Sequence, residues 1–417
     1  MVSSEREHAM ISAAEVVVIG SGALGSSVAF HLAKGGKRNV ALLDKHEIAS
    51  QTSLRAAGLT SQVRRSELMT KIAMMSVKKI ENFHRETGEP LVYYQPGALK
   101  IARTPAHEEQ LKAEVERGRG FGLGLEFISL AEAKRKMPFL ETKGIRAVTY
   151  SPTDLYLEPG QIPLGYARAA EKLGATMLPH TMVTGISVRN DEIVSVLTNK
   201  GEIETSVVVD AAGAWARFVG SLAGAHIAMI PTRHQLLITE PIPGVTPDQP
   251  ITRIIDANVY VRPAEGGLML GGYEQHPLQY DMRDLPPDFQ IKDMPLDIDV
   301  LRRLADAVVE QFPVFRELKL REHRGGLPTM TADGTPTVGP VPDINGLFVV
   351  GGCCVGGLSI SPAIGELMAE WIVTGKAPMD LSPLGPGRPS SDIQPEELLK
   401  DICRVEYAHH YWEEKLQ

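Results

Sequence analysis

The feature that most constrains the fold is a glycine-rich turn that joins a short β-branched run to a helix. The segment reads Glu15-Val-Val-Val-Ile-Gly20-Ser-Gly22-Ala-Leu-Gly25. At this spacing Gly20 permits a tight turn, Gly22 lets the backbone approach a pyrophosphate, and Gly25 lets the helix pack closely on the strand. A second strand-like run ends on Asp44, where a carboxylate accepts hydrogen bonds from a ribose diol. The sequence therefore predicts a strand-turn-helix unit that binds a dinucleotide.

Length and charge limit the fold and the function further. A chain of 417 residues is longer than one ordinary α/β core and predicts two closely joined domains. The formal net charge of -8 argues against a nucleic-acid surface. Apolar runs stay shorter than the roughly 18 residues that indicate a membrane helix, so we expect no membrane span.

The N-terminal segment and the cysteines indicate the cellular compartment in which we expect the protein. The first residues are polar and charged and lack the apolar core of a secretory signal, so we expect none. Of the three cysteines, Cys353 and Cys354 are adjacent, which is not the pattern of a disulfide framework. We therefore expect a reducing, cytoplasmic location.

Periodicity and turn residues predict an interleaved order of elements. We predict helices over 22–35, 68–87, 106–117, 130–136, 159–174, 298–311 and 362–374, and then a helical tail. We predict two strand runs within 91–102, a meander over 182–188, 192–198 and 202–210, and a second β-rich region over 228–275. The fold class is therefore α/β, with a Rossmann-like cofactor domain and an interleaved antiparallel substrate domain. The predicted cofactor domain comprises 1–90, 150–225 and 320–380, the substrate domain 91–149 and 226–319, and a C-terminal extension 381–417.

Two further glycine-rich segments bear on which dinucleotide binds. The run Val207-Val-Val-Asp-Ala-Ala-Gly213-Ala-Trp-Ala216 is a strand that breaks into small residues, which lets backbone approach a flat ligand. In the segment 346–365 a strand ends in glycines and a helix starts behind Pro362. A helix N-terminus there would stabilise negative charge on a reduced isoalloxazine ring. Each segment alone is equally well an ordinary strand or turn, but with the first motif they favour FAD over NAD.

Seven motifs, each present once, are spread along the chain. They are the Gly20–Asp44 fingerprint, Thr52-Ser-Leu-Arg-Ala-Ala-Gly58-Leu-Thr, Tyr94-Gln-Pro-Gly-Ala-Leu99, Asp210-Ala-Ala-Gly-Ala-Trp-Ala216, Arg233-His-Gln-Leu-Leu-Ile-Thr239, Tyr260-Val-Arg262 and Asp333-Gly-Thr-Pro-Thr-Val-Gly339-Pro. With these motifs the sequence resembles the D-amino-acid-oxidase superfamily of FAD enzymes, and within it the dimethylglycine and sarcosine dehydrogenase/oxidase branch. Multidomain relatives append a folate-binding domain, and we expect this chain to correspond to their FAD domain only.

The resemblance implies oxidation of a C–N bond by hydride transfer to flavin N5, which gives an imine that water hydrolyses. The substrate would be a small secondary or tertiary amine or an N-methyl amino acid of the sarcosine or dimethylglycine kind. The resemblance and the glycine-rich turns together predict FAD contacts from Gly20, Gly22, Ala23, Leu24, Gly25, Asp44, Lys45, Thr52, Ser53, Arg55, Ala57, Gly58, Leu59, Val183, Ala212, Gly213, Trp215, Gly326, Gly352, Gly356, Gly357, Leu358 and Ser359.

One position departs from the pattern of the relatives. Many of them attach FAD covalently through a histidine in the loop after the second strand, where this chain has Arg55. Arginine does not form that linkage, so we predict non-covalent FAD and a role for the Arg55 charge in tuning the flavin. Some sarcosine oxidases use a cysteine in the late glycine-rich segment. Cys353 or Cys354 is thus an alternative, although burial as small apolar side chains is the favoured interpretation.

A second departure concerns the substrate carboxylate. Glycine and D-amino-acid oxidases hold it with an arginine before the Asp-Gly turn, and the stretch Gly325–Gly334 lacks that arginine. A bidentate arginine would have to come from elsewhere. Arg262, Arg324 and Arg55 are the candidates.

The candidates for catalysis lie in the second β-rich region. His234 resembles an active-site histidine of the branch, and an imidazole that titrates near neutrality can take a proton from an ammonium substrate. Tyr260 matches a tyrosine that contacts the substrate, and alternation places Arg262 on the same strand face. Tyr273 is a weaker candidate for the pocket. The alternatives are a strand-end histidine bound to a carbonyl and tyrosines that pack across strands.

Other functions stay open at this point. They are an FAD subunit of a hetero-oligomeric opine, amino-acid or hydroxyproline dehydrogenase, an NAD-dependent dehydrogenase, and a non-catalytic flavin-binding protein. The electron acceptor is either O2 or an electron-transfer partner, and the extension 381–417 is either a docking arm for a homo- or hetero-oligomer or an ordered wrap. Adjacent His409 and His410 point apart on a helix and have no evident third ligand, so we predict no metal site.

Overall fold

The structure is a computed structural model that describes residues 11–317 and 319–413. Its α-helices are α1 (Ala23–Lys34), α2 (Glu67–Glu81), α3 (Phe83–Thr87), α4 (Pro105–Gly120), α5 (Leu130–Lys136), α6 (Gln161–Lys172), α7 (Ala216–Ser221), α8 (Ile298–Asp306), α9 (Gly357–Thr374) and α10 (Glu396–Ala408). The strands of the first half are β1 (Val16–Ile19), β2 (Val40–Leu43), β3 (Tyr93–Tyr94), β4 (Ala98–Ala102), β5 (Glu126–Ile128), β6 (Ala147–Ser151), β7 (Tyr156–Leu157), β8 (Thr176–Leu178), β9 (Val183–Arg189), β10 (Glu192–Thr198) and β11 (Gly201–Glu204). The remaining strands are β12 (Val208–Asp210), β13 (Ile230–Pro231), β14 (His234–Thr239), β15 (Ile251–Ile254), β16 (Val259–Ala264), β17 (Gly267–Gly272), β18 (Leu320–Gly326), β19 (Thr329–Met330), β20 (Thr337–Pro340) and β21 (Leu347–Gly351).

Six strands of the described chain form a largely parallel sheet in the order β20-β21-β12-β1-β2-β8. All neighbours are parallel except β20, which pairs antiparallel with β21 at the edge. Strands β1 and β2 are buried along their whole length, as expected for parallel strands that are covered on both faces. The register sets Ile19 beside both Leu43 and Asp210. The carboxyl ends of three central strands therefore lie side by side.

Alternation along β1 distributes its side chains over two layers. Val16 and Val18 pack with helices α1, α2, α6 and α9. Val17 and Ile19 pack on the opposite face against α7 and the antiparallel sheet β9-β10-β11. The parallel sheet is thus the middle layer of three, and the mixed α/β class predicted from the sequence is confirmed.

A second sheet has eight described strands in the order β18-β14-β17-β16-β15-β4-β6-β5. Its pairs are antiparallel except for β4 and β15, which are parallel. One face packs against α5 and α8. The opposite face packs against α10, with Leu236 and Tyr260 in one cluster with Cys403 and Tyr407.

Two predicted helices differ from those in the structure. The single helix predicted over 68–87 is divided into α2 and α3 at Asn82, whose side chain and backbone N–H both donate to the Lys78 carbonyl, at 2.8 Å and 3.2 Å. The last core helix begins at Gly357 rather than at Pro362. Pro362 cannot donate to the Leu358 carbonyl, and the Ser361 hydroxyl donates to that oxygen at 3.1 Å instead.

Two strand predictions also need correction. The single strand predicted over 202–210 is wrong, because β11 ends the three-stranded sheet and β12 begins the parallel sheet. Between them the Thr205 hydroxyl donates to the Val207 carbonyl and accepts from the Val207 N–H, which forms a local turn. Within 228–275 the sequence predicts strands over 233–239, 259–262 and 267–273, and it misses β15, which joins β16 to β4.

Within residues 11–317 and 319–413, no helix has both the length and the apolar character needed to cross a membrane. The domain boundaries proposed from the sequence remain a prediction.

Candidate active site

The turn after β1 is shaped by contacts that exclude side chains. Gly20 has φ +98°, and a Cβ on it would lie 2.5 Å from the Ala211 carbonyl oxygen. A Cβ on Gly25 would lie 1.8 Å from the Gly20 carbonyl oxygen. Helix α1 therefore approaches the end of β1 as closely as backbone allows, and its N-terminus points its positive dipole end at the turn.

The acid at the end of β2 is fixed by this same turn. One oxygen of Asp44 accepts from the Ser21 N–H at 2.9 Å and the Ser21 hydroxyl at 2.6 Å, and the other accepts from the His46 N–H at 2.9 Å. The neighbouring Lys45 ammonium lies 4.2 Å from the centre of the Trp215 ring. Burial lowers the pKa of Lys45 to about 8, against the opposing effect of Asp44.

These residues open onto a first cavity of about 390 Å³. It lies at the carboxyl ends of β1, β2 and β12, where ligands bind in doubly wound sheets. Ten of the predicted cofactor residues line it: Gly20, Gly22, Asp44, Lys45, Thr52, Ser53, Val183, Ala212, Gly213 and Trp215.

A second cavity of about 370 Å³ lies between the two sheets and α10, and Thr52 lines both cavities. Twelve predicted residues line it: Thr52, Arg55, Ala57, Gly58, Leu59, Gly326, Gly356, Leu358, Ser359, His234, Tyr260 and Tyr273. The structure therefore brings the predicted catalytic side chains to the same cavity as the loop after β2.

The loop after β2 carries Arg55 at the end of a 3-10 helix, Thr52–Arg55. Its guanidinium donates to the Ser50 and Gln51 carbonyls, both at 3.0 Å. Burial and the nearby Arg324 lower the pKa of Arg55. Arg55 thus stands at the wall of the second cavity, and the like charge of Arg324 lies near it outside the lining.

His234 is engaged at both ring nitrogens. Its Nδ1 lies 2.8 Å from the Tyr407 hydroxyl and its Nε2 lies 3.0 Å from the Tyr260 hydroxyl. Burial lowers the pKa of His234 to about 4, so the imidazole is neutral around pH 7. The side chain therefore serves as a neutral hydrogen-bonding group between two tyrosines.

Tyr273 belongs to an aromatic wall that the C-terminal segment completes. Its ring stacks on His410 with centroids 4.2 Å apart and an interplanar angle of 15°, and it meets Tyr411 edge-on at 5.3 Å. His410 and Tyr411 line the second cavity. The predicted extension thus contributes directly to the candidate site.

Arg262 and Arg324, predicted to bind substrate, lie outside both cavities. Arg262 is 2% exposed and donates to the Ala57 carbonyl at 2.8 Å and the Pro263 carbonyl at 2.6 Å. Arg324 pairs with Glu322 at 3.3 Å. Neither side chain therefore lines a cavity, and a role of these two arginines in substrate binding stays a prediction.

Five predicted cofactor residues also lie outside the cavity linings: Ala23, Leu24, Gly25, Gly352 and Gly357. The Ala23 N–H donates to the Ser53 hydroxyl at 3.0 Å, and Leu24 packs against the core of the parallel sheet. Gly352 has φ +62°, and a Cβ there would lie 2.5 Å from Thr331.

Sequence reasoning missed four cations that line the second cavity, namely Arg64, Arg65, Lys100 and Arg253. Arg64 reaches the Ser359 hydroxyl only at 3.4 Å, and its buried Nε has no hydrogen-bond partner among the described residues. Arg253, on the unpredicted strand β15, is 6% exposed and donates to the Thr60 carbonyl at 2.6 Å. Burial lowers the pKa of Arg64, and Arg253 lowers it further. An arginine in the short apolar run Ile251–Ile254 was the available signal for Arg253.

The two adjacent cysteines line the second cavity as well. The Cys354 thiol lies 3.3 Å from the Gly352 carbonyl and 3.4 Å from the Thr331 hydroxyl. Burial raises the pKa of Cys353 well above the usual range and that of Cys354 to about 11. Neither thiol is therefore activated as a nucleophile, and non-covalent flavin stays the prediction.

The residues present fit a bound dinucleotide such as FAD. A Cβ on Gly22 would project into the first cavity to within 3.3 Å of Ser53, so glycine keeps that wall open to a phosphate group. Three donors fix the orientation of the Asp44 carboxylate at the wall of this cavity, where doubly wound folds place a ribose-binding acid. Thr52 also lines the second cavity, which holds His234 and Tyr260.

Comparisons with known proteins agree with this geometry. The family model "FAD dependent oxidoreductase" matches residues 15–371. Dimethylglycine dehydrogenase of Mus musculus is 30% identical over 383 residues, which cover 90% of this chain and 44% of that protein. Sarcosine dehydrogenase of Mus musculus is 30% identical over 376 residues, 89% of this chain and 41% of that protein. The chain thus spans less than half the length of these two relatives.

Among solved structures, L-proline dehydrogenase from P. horikoshii superposes with a TM-score of 0.81 at 27% identity. The match covers 90% of this chain and 98% of that one. The similarity therefore extends over most of this chain and nearly the whole of that protein.

Proposed function

The chain belongs to the family of FAD-dependent oxidoreductases that act on amines and amino acids, and from this premise we propose that it oxidises the C–N bond of a small N-methyl amino acid or another secondary or tertiary amine that carries a carboxylate. The family resemblance inferred from the sequence is confirmed, and an NAD-dependent dehydrogenase is no longer a candidate. Sarcosine and dimethylglycine are the model substrates of the proposal.

One observation carries the proposal. The second cavity combines the neutral His234–Tyr260 pair with the guanidinium groups of Arg64 and Arg253. A carboxylate binds arginine through short, charge-assisted hydrogen bonds, and the terminal nitrogens of Arg64, whose one hydrogen bond is a long 3.4 Å to Ser359, retain donors for it. In this proposal the two arginines bind the carboxylate of the substrate, and the His234–Tyr260 pair contacts its amine.

Bound FAD would supply the redox chemistry by accepting the hydride from the carbon next to nitrogen. The backbone at Gly20 and Gly22, the Asp44 carboxylate and the Thr52 hydroxyl would hold it. The protein must also present the amine in its neutral form, because an ammonium nitrogen has no lone pair to support the developing imine. A neutral His234 favours the neutral amine, since it adds no positive charge of its own to the amine end of the site.

A second candidate follows from the likeness to L-proline dehydrogenase. Proline is a cyclic secondary amine with a carboxylate, so the same groups would bind it. In this candidate the chain is the FAD subunit of a hetero-oligomer and passes electrons to a partner instead of to O2.

Anaerobic bleaching of the flavin absorbance tests both candidates. We expect sarcosine, dimethylglycine or proline to bleach the FAD-loaded protein faster than the corresponding amines that lack a carboxylate. Recovery of the absorbance when air is admitted identifies an oxidase, and slow recovery that an artificial electron acceptor accelerates identifies a dehydrogenase. Rapid bleaching by D-amino acids alone would contradict the proposed substrate class.

A further inference from the structure

The C-terminal helix reaches the candidate site from behind His234. Tyr407 lies in the last turns of α10, and its hydroxyl is 2.8 Å from His234 Nδ1. We propose that Tyr407 is a positioning residue, which fixes the ring orientation and the tautomer of His234 and thereby sets which ring nitrogen Tyr260 meets at the cavity. The part of this proposal that concerns turnover rests on the proposed function.

Helix α10 is built to hold Tyr407 in this place. Leu399, Cys403 and Tyr407 recur every four residues, are all buried, and pack against the sheet face that carries Leu236 and Tyr260. Side chains spaced by four lie on one stripe of a helix. The contact between α10 and the sheet therefore delivers the Tyr407 hydroxyl to the sheet face and not to solvent.

Hydrogen bonds at two points fix the position of α10 along the sheet. The Gln279 side chain donates to the Lys400 carbonyl at 2.8 Å. At the C-terminal end of α10, the Asn258 side chain donates to the Ala408 carbonyl at 3.0 Å and accepts from the Tyr411 N–H at 3.2 Å. Asn258 is 1% exposed, so these bonds are shielded from water. The helix is thus held on both sides of Tyr407.

Because a neutral imidazole has two tautomers, the contact with Tyr407 determines whether His234 donates to Tyr260 or accepts from it. Such a ring has one N–H donor and one acceptor nitrogen. If Tyr407 donates to Nδ1, then Nε2 carries the proton and must donate to Tyr260; if Nδ1 donates to Tyr407, then Nε2 accepts from Tyr260. His234 is 7% exposed and the two tyrosines 2% or less. With little water to replace a lost partner, the Tyr407 hydroxyl and the Tyr260 hydroxyl are coupled through the ring.

Nitrogen NMR of histidine-labelled, FAD-loaded protein tests the contact without any substrate. The His234 signals are identified among the 12 histidines by their loss in His234→Gln. We expect wild-type Nδ1 and Nε2 both to show hydrogen-bonded shifts. Tyr407→Phe should move the Nδ1 signal most and Tyr260→Phe the Nε2 signal most. Tyr150→Phe is the matched control, because it removes a hydroxyl bonded to the Pro96 carbonyl outside the cavities.

Phenylalanine retains the ring that packs edge-on against Tyr273 at 5.2 Å, so Tyr407→Phe should fold. A wild-type Nδ1 signal typical of an unbonded nitrogen would overturn the proposal without any variant. An unmoved Nδ1 signal in Tyr407→Phe would overturn it equally.

The rate of flavin reduction distinguishes a positioning role of Tyr407 from a role in packing alone. Tyr407→Phe should slow anaerobic flavin reduction by roughly 10-fold or more with little change in KM, as for other residues that orient a histidine. A moved Nδ1 signal with an unchanged reduction rate would overturn the positioning role. If no amine reduces the wild-type flavin, the proposed function fails, whereas moved Nδ1 and Nε2 signals would still support the fixed tautomer.

Discussion

Replacement of Arg64 by methionine tests how the site recognises a carboxylate. Methionine keeps an unbranched chain of similar reach and removes the charge and all donors. In the structure Arg64 has one long hydrogen bond, 3.4 Å to Ser359, and a buried Nε without a partner. The terminal nitrogens of the guanidinium retain at least two donors for an anionic ligand, and Arg253 stands near it in the same cavity.

The expected loss follows from these donors. Two charge-assisted hydrogen bonds contribute about 3 kcal/mol at the lower end of their range, which corresponds to a factor of roughly 150. Because Arg253 remains, we expect kcat/KM for sarcosine to fall by about 100-fold or slightly less, mostly through KM. For N-methylethylamine, which has no carboxylate, kcat/KM should change by less than about 3-fold.

The assay compares this selectivity in three proteins. Initial rates of flavin reduction give kcat/KM for both amines in wild type, in Arg64→Met and in Arg135→Met. Arg135 has a side chain that is 74% exposed on α5, so it controls for loss of one positive charge from the protein. An equal loss of kcat/KM for both amines in Arg64→Met would refute the carboxylate role, as would no loss at all.

Three shorter predictions concern the cofactor and stability. Gly25→Ala should lower the melting temperature and weaken FAD retention, because its Cβ would lie 1.8 Å from the Gly20 carbonyl oxygen; Gly120→Ala, with open space around its Cβ, should do neither. Acid precipitation should leave the flavin in the supernatant, since Arg55 occupies the position at which relatives attach FAD, and a yellow pellet would contradict this. The pKa of His234 is lowered to about 4 in the folded state, whereas in the unfolded chain it is about 6.5, so the unfolded state binds the proton first. The stability that neutral His234 contributes is therefore complete above pH 6.5 and is lost towards pH 4, by up to about 3 kcal/mol. Urea unfolding of apoprotein between these pH values should show a shallower decline in His234→Gln than in wild type, and parallel declines would contradict it.

The first cofactor motif could be predicted because its constraints are local. Gly20 and Gly25 are close in sequence, and the contact between them depends only on the strand-turn-helix geometry. The same holds for α1, which ends one residue before the Gly35 that the sequence marks as its stop. Local patterns of this kind specify an element without reference to the rest of the chain.

The errors arise where a partner lies far along the chain. Strand β12 reads as a continuation of β11, but its neighbours are β1 and β21, which start almost 200 residues before it and 139 after it. Arg253 and Arg64 are likewise far apart in sequence and meet only in the folded cavity. Local sequence patterns carry no information about such pairings, because hydrophobic periodicity indicates which residues are buried but not which distant residues they contact.

The C-terminal segment shows the same limit for a candidate site. Its charged residues indicate a solvated helix, and Tyr407 and Tyr411 stand at a spacing of four within it. That spacing indicates a buried stripe, but it does not specify that the stripe meets His234. The sheet order, which places β14 next to β17 and β18, decides what α10 covers.

The charges around the second cavity support an anionic rather than a purely cationic ligand. Three acids line it, and each is already paired with an arginine: Asp333 with Arg388 at 2.9 Å, Glu406 with Arg65 at 3.7 Å, and Glu413 with Arg117. The cations Arg55, Arg64 and Arg253 line the same cavity, and of these Arg253 is paired with the buried Asp154 at 3.9 Å. Arg55 donates to carbonyl oxygens, which do not neutralise it.

This excess of positive charge would disfavour an ammonium ion that carries no carboxylate. A zwitterionic amino acid brings its own anion, and once the carboxylate is bound to arginine the remaining positive field lowers the pKa of the amine. The arginines proposed to bind the carboxylate would thus also favour the neutral nitrogen that the proposed C–N oxidation requires. Binding and activation of the substrate would then follow from one arrangement of charges, which is why the selectivity of Arg64→Met is the most informative measurement on this site.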